Sequence, residues 1–199
     1  NDTTLIPLLD DTAPSSQQES LSSGILTKSD YIDFAQRINT YINNNNNQAP
    51  PYGLIGPGTI SYNNMIYTFS KILDSYNSYH MLPASIDIIQ WAYILNPVCN
   101  ARTNERFNTI QTAVNNADTH NGDTLTLVNI TYTENVILNK TLTIIPLSGN
   151  VVVKPLNTNL PVFIINSSGS DSTIMNLIIR GVTQNAGILI NNSVNNTIK

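Results

Sequence analysis

The sequence predicts a two-domain α+β protein, in which a small duplicated module of helices and short strands precedes a right-handed parallel β-helix. Two amphipathic segments of similar pattern predict the duplicated module. A single further helix, followed only by short strands that recur about every 20 to 30 residues, predicts a solenoid with an N-terminal capping helix. The predicted boundaries place a linker at residues 1–24, the module at 25–98 and the first coils of the β-helix at 99–199.

Composition restricts the classes of function. The 199 residues are 41% hydrophobic, which is enough for packed cores, and only 11% are charged. The net charge of -4 gives no electrostatic attraction for nucleic acid. The chain has no apolar run of the roughly 18 residues that a membrane span requires. Cys99 is the only cysteine, so we expect neither an internal disulfide nor a thiolate zinc cage.

The first amphipathic segment is the run SDYIDFAQRINTYINNN. Its apolar residues follow the spacing of one helical face, and Ser29 or Asp30 is placed to cap its start. The apolar face consists of Tyr31, Phe34, Ala35, Ile38, Tyr41 and Ile42.

The second amphipathic segment is YNNMIYTFSKILDSYNSY, with Asn63 or Asn64 as its predicted cap. The two segments superpose at one fixed offset, the one that pairs Phe34 with Phe69. Each is followed by an Asn-rich or Asn/Ser-rich turn, a proline and a short apolar run that predicts a strand. The apolar face of the second segment consists of Met65, Phe69, Ile72, Leu73 and Tyr76.

This order of parts resembles the pseudomurein-binding repeat of methanogen surface proteins and of the phage lysins that attack methanogen walls. The resemblance covers about Ile25 to Ile89 and depends on YIDFAQRI, YINN, a proline-led strand, ISYNNMIYTFSKIL and the closing LP. The run of asparagines from Asn43 to Asn47 departs from the family, whose repeats more often have a shorter turn with Gly. The resemblance implies non-covalent attachment to the cell-wall polymer pseudomurein.

From Asn104 onward the sequence predicts one helix, over residues 104–117, and then only short strands. The phrase VFIIN, which ends at Asn166, matches GILIN, which ends at Asn191, and STIMN similarly matches NNTIK. Such a period is typical of a parallel β-helix, in which the asparagines that end the strands stack as a ladder. Because an uncapped stack exposes strand edges, we expect further coils to follow Lys199, or another subunit to cover that end.

The entry to this region resembles the N-terminal coils of pectate-lyase-like β-helices, as found in archaeal adhesin-like surface proteins. The resemblance covers about Asn100 to Lys199 and depends on Gly122, Asp123 and the run ENV. These are structural positions in the family, so the resemblance implies no catalysis.

We predict no catalytic residue, metal ligand or cofactor. From Leu125 onward the only acids are Glu134 and Asp171, which lie more than one predicted coil apart and are therefore too distant to share a glycosidic bond. A weaker hypothesis is a thiol peptidase built from Cys99, His120 and Asp123. However, His120 and Asp123 lie in the one turn THNGD, whose Gly-Asp pair is already explained by the turn.

Polymer binding is the favoured function, because aromatic faces and hydrogen-bonding side chains on a rigid scaffold hold sugar polymers. Tyr31, Tyr41 and Tyr76 lie on the apolar faces and are predicted to be core residues. The predicted ligand surface consists of Tyr52, Tyr62, Tyr67, Tyr79, Arg37 and Lys71.

Three functions follow, in order of preference. The first is a non-catalytic archaeal surface protein that binds the glycan and peptide of pseudomurein and projects its β-helix as an adhesin stalk. The second is a structural subunit of a surface layer or filament, whose repeats contact copies of the same chain. A wall-degrading enzyme is the third and weakest. The resemblance implies an extracellular, wall-associated location. Six glycosylation sequons also indicate a surface or extracellular protein, and they begin at Asn1, Asn129, Asn139, Asn166, Asn191 and Asn195.

Overall fold

The computed structural model describes residues 14–199, which form four α-helices, one short 3-10 helix and several sheets of mostly short strands. The protein is therefore of mixed α and β structure, as predicted. The chain divides into two compact units, an N-terminal unit that ends at Trp91 and a C-terminal unit from Ala92 to Lys199. This division falls earlier in the sequence than the predicted boundary between residues 98 and 99.

The N-terminal unit consists of two strand-helix-strand repeats. The first repeat contains β1 (Gly24–Thr27), α1 (Lys28–Asn44) and β2 (Tyr52–Ile55). The second contains β3 (Gly58–Ser61), α2 (Tyr62–Tyr79) and β4 (Ser85–Ile88), and α3 (Trp91–Leu95) follows it. Strand β1 pairs antiparallel with β4, and β2 pairs antiparallel with β3. The first strand of each repeat thus pairs with the last strand of the other, as a pseudo-twofold relation requires.

The two repeats correspond when Thr27 is paired with Ser61, an offset one position shorter than the predicted one. Both residues are N-caps, and their hydroxyl oxygens accept hydrogen bonds from the backbone N–H groups of Asp30 and Asn64. These hydroxyls satisfy backbone donors that a helix start otherwise leaves without partners. The predicted caps are wrong, because Ser29, Asp30, Asn63 and Asn64 all lie inside the first turn of their helices.

The pattern of buried residues agrees with the offset that pairs the two N-caps Thr27 and Ser61, which is called the cap offset. Phe34 and Thr68, which this offset pairs, are both buried, whereas Phe69 is only partly buried. The rings of Phe34 and Phe69 stack on each other with centroids 5.9 Å apart. The prediction that these two rings occupy equivalent positions is therefore wrong, since they are neighbours in one shared core.

Two tyrosines that were predicted to be core residues are exposed. Tyr31 is buried as predicted, and its hydroxyl donates to the carbonyl oxygen of Pro83 at 2.6 Å. Tyr41 and Tyr76 are exposed, as is Leu73. All three lie in the C-terminal halves of their helices.

The segment before β1 is part of the N-terminal unit from Gln17 onward. The backbone N–H groups of Ser20 and Ser22 donate to the carbonyl oxygens of Thr59 (3.0 Å) and Pro57 (3.1 Å). Between them, Leu21 is only 2% exposed and belongs to the core. The prediction of a linker at residues 1–24 is therefore wrong for this part, and residues 1–13 lie outside the described residues.

The carboxylate of Glu19 completes the start of α2. Its Oε2 atom accepts hydrogen bonds from Ser61 Oγ (2.6 Å) and from the Ser61 backbone N–H (3.4 Å). Its Oε1 atom accepts from Asn64 Nδ2 (3.3 Å) and from the Trp91 backbone N–H (2.5 Å). One carboxylate thus joins the segment before β1, the start of α2 and the segment after β4.

In the first repeat, a residue of the helix itself supplies the equivalent carboxylate. Asp30, at the third position of α1, accepts from the Thr27 backbone N–H at 2.9 Å. It also accepts from the Thr27 hydroxyl at 2.6 Å. The Asp30 backbone N–H donates to the oxygen of that hydroxyl at 3.4 Å, and this bond and the one from the Thr27 N–H together form a capping box. The second repeat has Asn64 at this position, and Glu19 supplies the missing carboxylate from outside the helix.

The C-terminal unit begins with an antiparallel entry and then contains only short strands. Strand β5 (Val98–Asn100) pairs antiparallel with β6 (Arg106–Phe107), and α4 (Ile110–Asn115) follows. The predicted helix over residues 104–117 is therefore too long. From residue 125 to 199 the only helical element is the 3-10 turn Ser167–Gly169. The ten further strands are β7 (Thr124–Leu127), β8 (Thr131–Thr133), β9 (Val136–Leu138), β10 (Thr143–Pro146), β11 (Val151–Lys154), β12 (Phe163–Ile165), β13 (Thr173–Ile174), β14 (Leu177–Ile179), β15 (Ile188–Ile190) and β16 (Thr197–Ile198).

These ten strands pair with one another in parallel, in three ladders of β7-β10-β13-β16, β8-β11-β14 and β9-β12-β15. Strand β5 adds to the first ladder by antiparallel pairing with β7. Phe163 pairs with Ile188 and Thr173 with Thr197, so the matched phrases of the sequence lie side by side as parallel neighbours.

A single core lies between the three ladders. Buried residues occur in each of the strands from β7 to β13, and helix α4 contributes Ile110, Ala113 and Val114 to the same cluster. The predicted asparagine ladder has one observed rung, in which Asn191 Nδ2 donates to Asn166 Oδ1 at 3.3 Å. Polar turns of successive ladder steps are thus bonded to one another, while apolar strand residues fill the interior.

We predict that Glu19→Gln lowers the free energy of unfolding of the N-terminal unit by about 1 to 2 kcal/mol, the usual cost of losing a helix cap. The amide donates where Glu19 accepts, so at least one of its contacts with Ser61, Asn64 and Trp91 is lost. Urea unfolding followed by fluorescence measures the loss, because Trp91 is the only tryptophan. The control is the exposed neighbour Gln18→Ala, which should change nothing. Equal stability of Glu19→Gln and the unchanged protein would contradict this role.

Candidate functional site

The predicted binding residues lie in the N-terminal unit but do not form one surface. Arg37 lines one groove and Tyr62 lines another. Tyr67 and Lys71 are neighbours on α2. Tyr52, on β2, and Tyr79, at the end of α2, are both exposed to solvent.

The Arg37 groove is an open depression of about 220 Å³. Strand β1, helix α1 and the turn between β2 and β3 form its walls. Its lining includes Ile25, Asp30, Asp33, Arg37, Gly56 and Pro57. One wall is aliphatic and the other carries two carboxylates and a guanidinium, so the groove offers both apolar contact and hydrogen bonding.

Arg37 is held in a fixed orientation over the core. Its Nε atom donates to Asp33 Oδ2 at 2.9 Å, and its Nη1 atom donates to the carbonyl oxygen of Leu54 at 2.9 Å. The guanidinium carbon lies 5.2 Å from the ring centroid of Phe34, within the range of a cation-π contact. Nη2 has no hydrogen-bond partner among residues 14–199, which leaves donors for a ligand on a pre-oriented group.

The corresponding position of the second repeat is covered by the chain itself. Lys71 is the residue that the cap offset pairs with Arg37, and its Nζ atom lies 5.6 Å from the ring centroid of Tyr67. The ring of Tyr67 makes an edge contact with the indole of Trp91, with centroids 6.2 Å apart. Burial lowers the pKa of Lys71 and raises that of Tyr67, while the charge of Asp87 partly opposes the effect on Lys71. Tyr67 and Lys71 are therefore packing residues rather than an open ligand surface.

Tyr62 lines a second, apolar depression of about 320 Å³ between α1 and α2, the interhelix groove. It is defined by Ile38, Ile42, Pro50, Tyr62, Ile66 and Phe69. With Ile66 exposed at its rim, this groove is a surface for apolar contact and contains no charged side chain.

The residues of the thiol-peptidase hypothesis do not form a catalytic arrangement. Cys99 Sγ contacts the carbonyl oxygen of Asn100, at 3.6 Å. His120 Nδ1 instead lies 2.8 Å from Arg102 Nη2. Among the described residues, Cys99 and His120 are thus not hydrogen-bonded to each other, and the contact that activates a thiol is not formed.

Asp123 is the centre of a structural cluster at the start of the C-terminal unit. Its carboxylate accepts from Arg102 Nε (2.6 Å), Asn100 Nδ2 (2.8 Å) and the backbone N–H of His120 (2.9 Å). The hydrogen bond from Arg102 is the largest cause that holds the pKa of Asp123 below its usual range, with the His120 and Asn100 bonds adding to it. Asp123 therefore fixes the entry to the first strands.

Glu134 also has a structural role. Its two oxygens accept the backbone N–H groups of Ile110 and Gln111, each at 2.9 Å, at the start of α4. Burial raises the pKa of Glu134, and the two backbone hydrogen bonds act in the opposite direction. Asp171 lies in an exposed turn with a left-handed backbone (φ of 62°). Both oxygens of Glu134 are thus engaged by the start of α4.

The sequons differ in exposure. Asn139, Asn191 and Asn195 are exposed, and Asn129 and Asn166 are partly buried. Asn166 Oδ1 accepts from Asn191 Nδ2, which is the atom to which an N-glycan on Asn191 would be attached. Asn1 lies outside the described residues.

Within residues 14–199, no helix combines the length and apolar character needed to cross a membrane. No group of three or more His, Cys, Asp or Glu in that range is arranged to hold a metal ion. Comparison of the chain with family models, curated proteins and solved structures finds no match.

Two contacts of the candidate site were not predicted from the sequence. Trp91 covers the second repeat, and Asp33 fixes Arg37. The signal for Asp33 was present, since an acid four residues before Arg37 on a helix is a favourable ion-pair spacing. Trp91 carried no periodic signal, because it follows the last strand of the repeat.

We predict that Asp123→Asn lowers the stability of the C-terminal unit at neutral pH by about 1 to 3 kcal/mol, because Arg102 and the other donors lose a charged acceptor. Since the pKa of Asp123 is lowered by folding, its contribution is complete above about pH 4 and is lost as the pH falls further. The difference between the two proteins should narrow below pH 4. Urea unfolding followed by circular dichroism between pH 7 and 2.5 tests both statements, and a gap independent of pH would contradict them.

Proposed function

We propose that this protein is a non-catalytic archaeal cell-surface protein, whose N-terminal unit binds pseudomurein and whose C-terminal unit projects as an adhesin stalk. The observation that carries the proposal is the Arg37 groove, in which a pre-oriented guanidinium lies open beside an aliphatic wall. Such a groove suits a polymer of sugars and peptides, because both present hydroxyl or carbonyl acceptors next to apolar carbon.

The organisation of the N-terminal unit supports this proposal. Two pseudo-symmetric repeats share one core, and the segment that resembles the pseudomurein-binding repeat, about Ile25 to Ile89, spans both of them. The unit presents its groove on helix and strand rather than on a long loop, which keeps a binding surface rigid. With a net charge of only -4 over the whole chain, attraction to the wall depends mainly on short-range contacts.

For the C-terminal unit we propose a right-handed parallel β-helix with α4 as its N-terminal cap. The three parallel ladders support it, because Thr143 pairs with Thr124 before it and with Thr173 after it, so the chain returns to the same ladder once per coil. The other two ladders repeat this order, and the buried side chains of α4 belong to the same core as the strands. A solenoid stacks its coils along one axis, which suits a projecting stalk.

A specific observation favours the second candidate, a structural subunit of a surface layer or filament. The interhelix groove is apolar, and Ile66 and Leu73 on α2 are exposed beside it. An exposed apolar face of this kind is typical of a protein contact. The third candidate, a wall-degrading enzyme, has no such support, because both oxygens of Glu134 are engaged by α4.

Co-sedimentation with purified pseudomurein sacculi tests the proposed function. We expect the unchanged protein to bind, and Arg37→Ala to reduce binding at least about tenfold, because a charged hydrogen bond contributes roughly 1.5 to 3 kcal/mol. The matched control Ile66→Asp lies outside the Arg37 groove and should bind sacculi normally. Raising the salt concentration from about 0.1 to 0.5 M should weaken binding less than about threefold.

Failure of the unchanged protein to bind sacculi would contradict wall attachment. If that protein instead self-associates and Ile66→Asp prevents the association, the assembly function takes its place. Trp91 fluorescence of each variant establishes that the N-terminal unit is folded.

A further inference from the structure

The pseudo-twofold relation makes β1 and β3 equivalent strands. Their hydrogen bonds to the partner strands show which of their backbone groups face outward. The Lys28 N–H donates to the Ala84 carbonyl, and the Tyr62 N–H donates to the Pro51 carbonyl. Hydrogen bonding alternates along an antiparallel pair, so these bonds fix the alternation in both sheets. Ile25 and Thr59, at equivalent positions, therefore turn their N–H and C=O groups away from the partner strand.

In the second repeat the outward edge is occupied by an extended segment of the chain itself. The Ser20 N–H donates to the Thr59 carbonyl at 3.0 Å, and the Ser22 N–H donates to the Pro57 carbonyl at 3.1 Å. Leu21, between them, is buried in the core. Two residues earlier and on the same side of this segment, the Glu19 carboxylate caps α2. This segment, Glu19–Ser22, is the internal occupant.

In the first repeat the equivalent edge is open. Ile25 is 62% exposed and lines the Arg37 groove. No residue among 14–199 outside the sheet hydrogen-bonds its backbone N–H or C=O. Pro57 bounds the groove at the Gly24 end, where its ring lies against that residue. The groove thus contains a strand edge with free donor and acceptor groups, a feature that commonly receives a further strand.

We infer that the Arg37 groove binds an extended peptide, which pairs with the edge of β1 at Ile25 as the internal occupant pairs with β3 at Thr59. This is binding by strand addition, in which backbone hydrogen bonds supply affinity and alternate side chains supply specificity. The inference deepens the proposed function. It rests on that proposal only for the identity of the polymer. It assigns the groove to the peptide part of that polymer and not to the glycan.

The charges of the groove define which side chain the peptide carries. In the second repeat, Glu19 of the internal occupant accepts a hydrogen bond from the neutral side chain of Asn64. The residue of the first repeat that corresponds to Asn64 is Asp30, which carries a carboxylate. A carboxylate at that place would face Asp30 and the nearby Asp33, both on the groove wall. A basic side chain is favoured there instead, because the two carboxylates of the groove outnumber its one guanidinium. Two residues further on, an aliphatic side chain takes the place of Leu21.

The test uses the internal occupant as its probe. The probe is a fluorescein-labelled synthetic peptide of residues 17–23, QQESLSS, in which Glu19→Lys places the basic side chain. It is titrated with the full chain and followed by fluorescence anisotropy. We expect it to bind at least about fivefold more tightly than the unchanged peptide and at least about tenfold more tightly than the same Lys peptide carrying Leu21→Asp. Equal binding of the three peptides would overturn the inference.

Two substitutions at one position locate the binding. A side chain at Gly56 meets no atom within 4 Å of its Cβ, so replacement there leaves the unit folded. Gly56→Trp fills the groove and should lower the affinity for the Lys peptide at least about tenfold. The affinity of the matched control Gly56→Ala should stay within about twofold of that of the unchanged protein. Asp33→Asn should reduce the preference for the Lys peptide over the Glu peptide. Unchanged binding by Gly56→Trp would overturn the inference.

The sacculus assay separates this inference from the proposed function. If Gly56→Trp loses both the peptide and sacculi, both are supported. If the unchanged protein sediments with sacculi and Gly56→Trp does so equally well, wall attachment stands and the peptide groove is refuted. If the Lys peptide binds the groove while sacculi are ignored, the peptide groove stands and wall attachment is refuted.

Discussion

The N-terminal unit depends on one carboxylate whose hydrogen bonds join three parts of the chain. Glu19 accepts hydrogen bonds from Ser61 and Asn64 at the start of α2 and from the backbone of Trp91 after β4. Each of these donors would otherwise be left at a helix start or in a partly buried turn without a charged acceptor. The capping bond therefore also positions Leu21 in the core and the indole of Trp91 over Tyr67.

The proposed peptide binding rests on a difference between two otherwise equivalent repeats. In the second repeat, Glu19 brings a strand segment with it, and that segment occupies the outer edge of β3. In the first repeat, Asp30 supplies the carboxylate from within α1, and no segment of residues 14–199 pairs with the outer edge of β1. The unit thus contains, in the second repeat, an example of the strand addition that we infer for the first repeat, where no segment of residues 14–199 occupies the edge.

The sequence predicted what depends on periodicity. Alternating apolar residues and matched phrases predicted the parallel pairing of Phe163 with Ile188, and the helical spacing predicted α1 and α2. The offset between the repeats was wrong by one position, because the aromatic side chains Phe34 and Phe69 dominate the sequence pattern while the two caps define the true correspondence.

The contacts that complete the N-terminal unit could not be predicted. The partners of Glu19 and Trp91, which are Ser61 and Tyr67, lie far away along the chain, and no local pattern marks such contacts. Arg37 was included in the predicted ligand surface, but its groove needs the turn between β2 and β3, which only the fold brings close.

Amide hydrogen exchange of the unliganded protein, resolved residue by residue by nuclear magnetic resonance, tests the central claim most directly. The Ser20 and Ser22 amides should exchange as slowly as that of Leu26, because each is hydrogen-bonded within the folded unit. The Ile25 amide, which faces the Arg37 groove, should exchange much faster than its neighbour Leu26. Rapid exchange at Ser20 and Ser22, or protection of Ile25 equal to that of Leu26, would contradict the distinction between a filled edge and an open one.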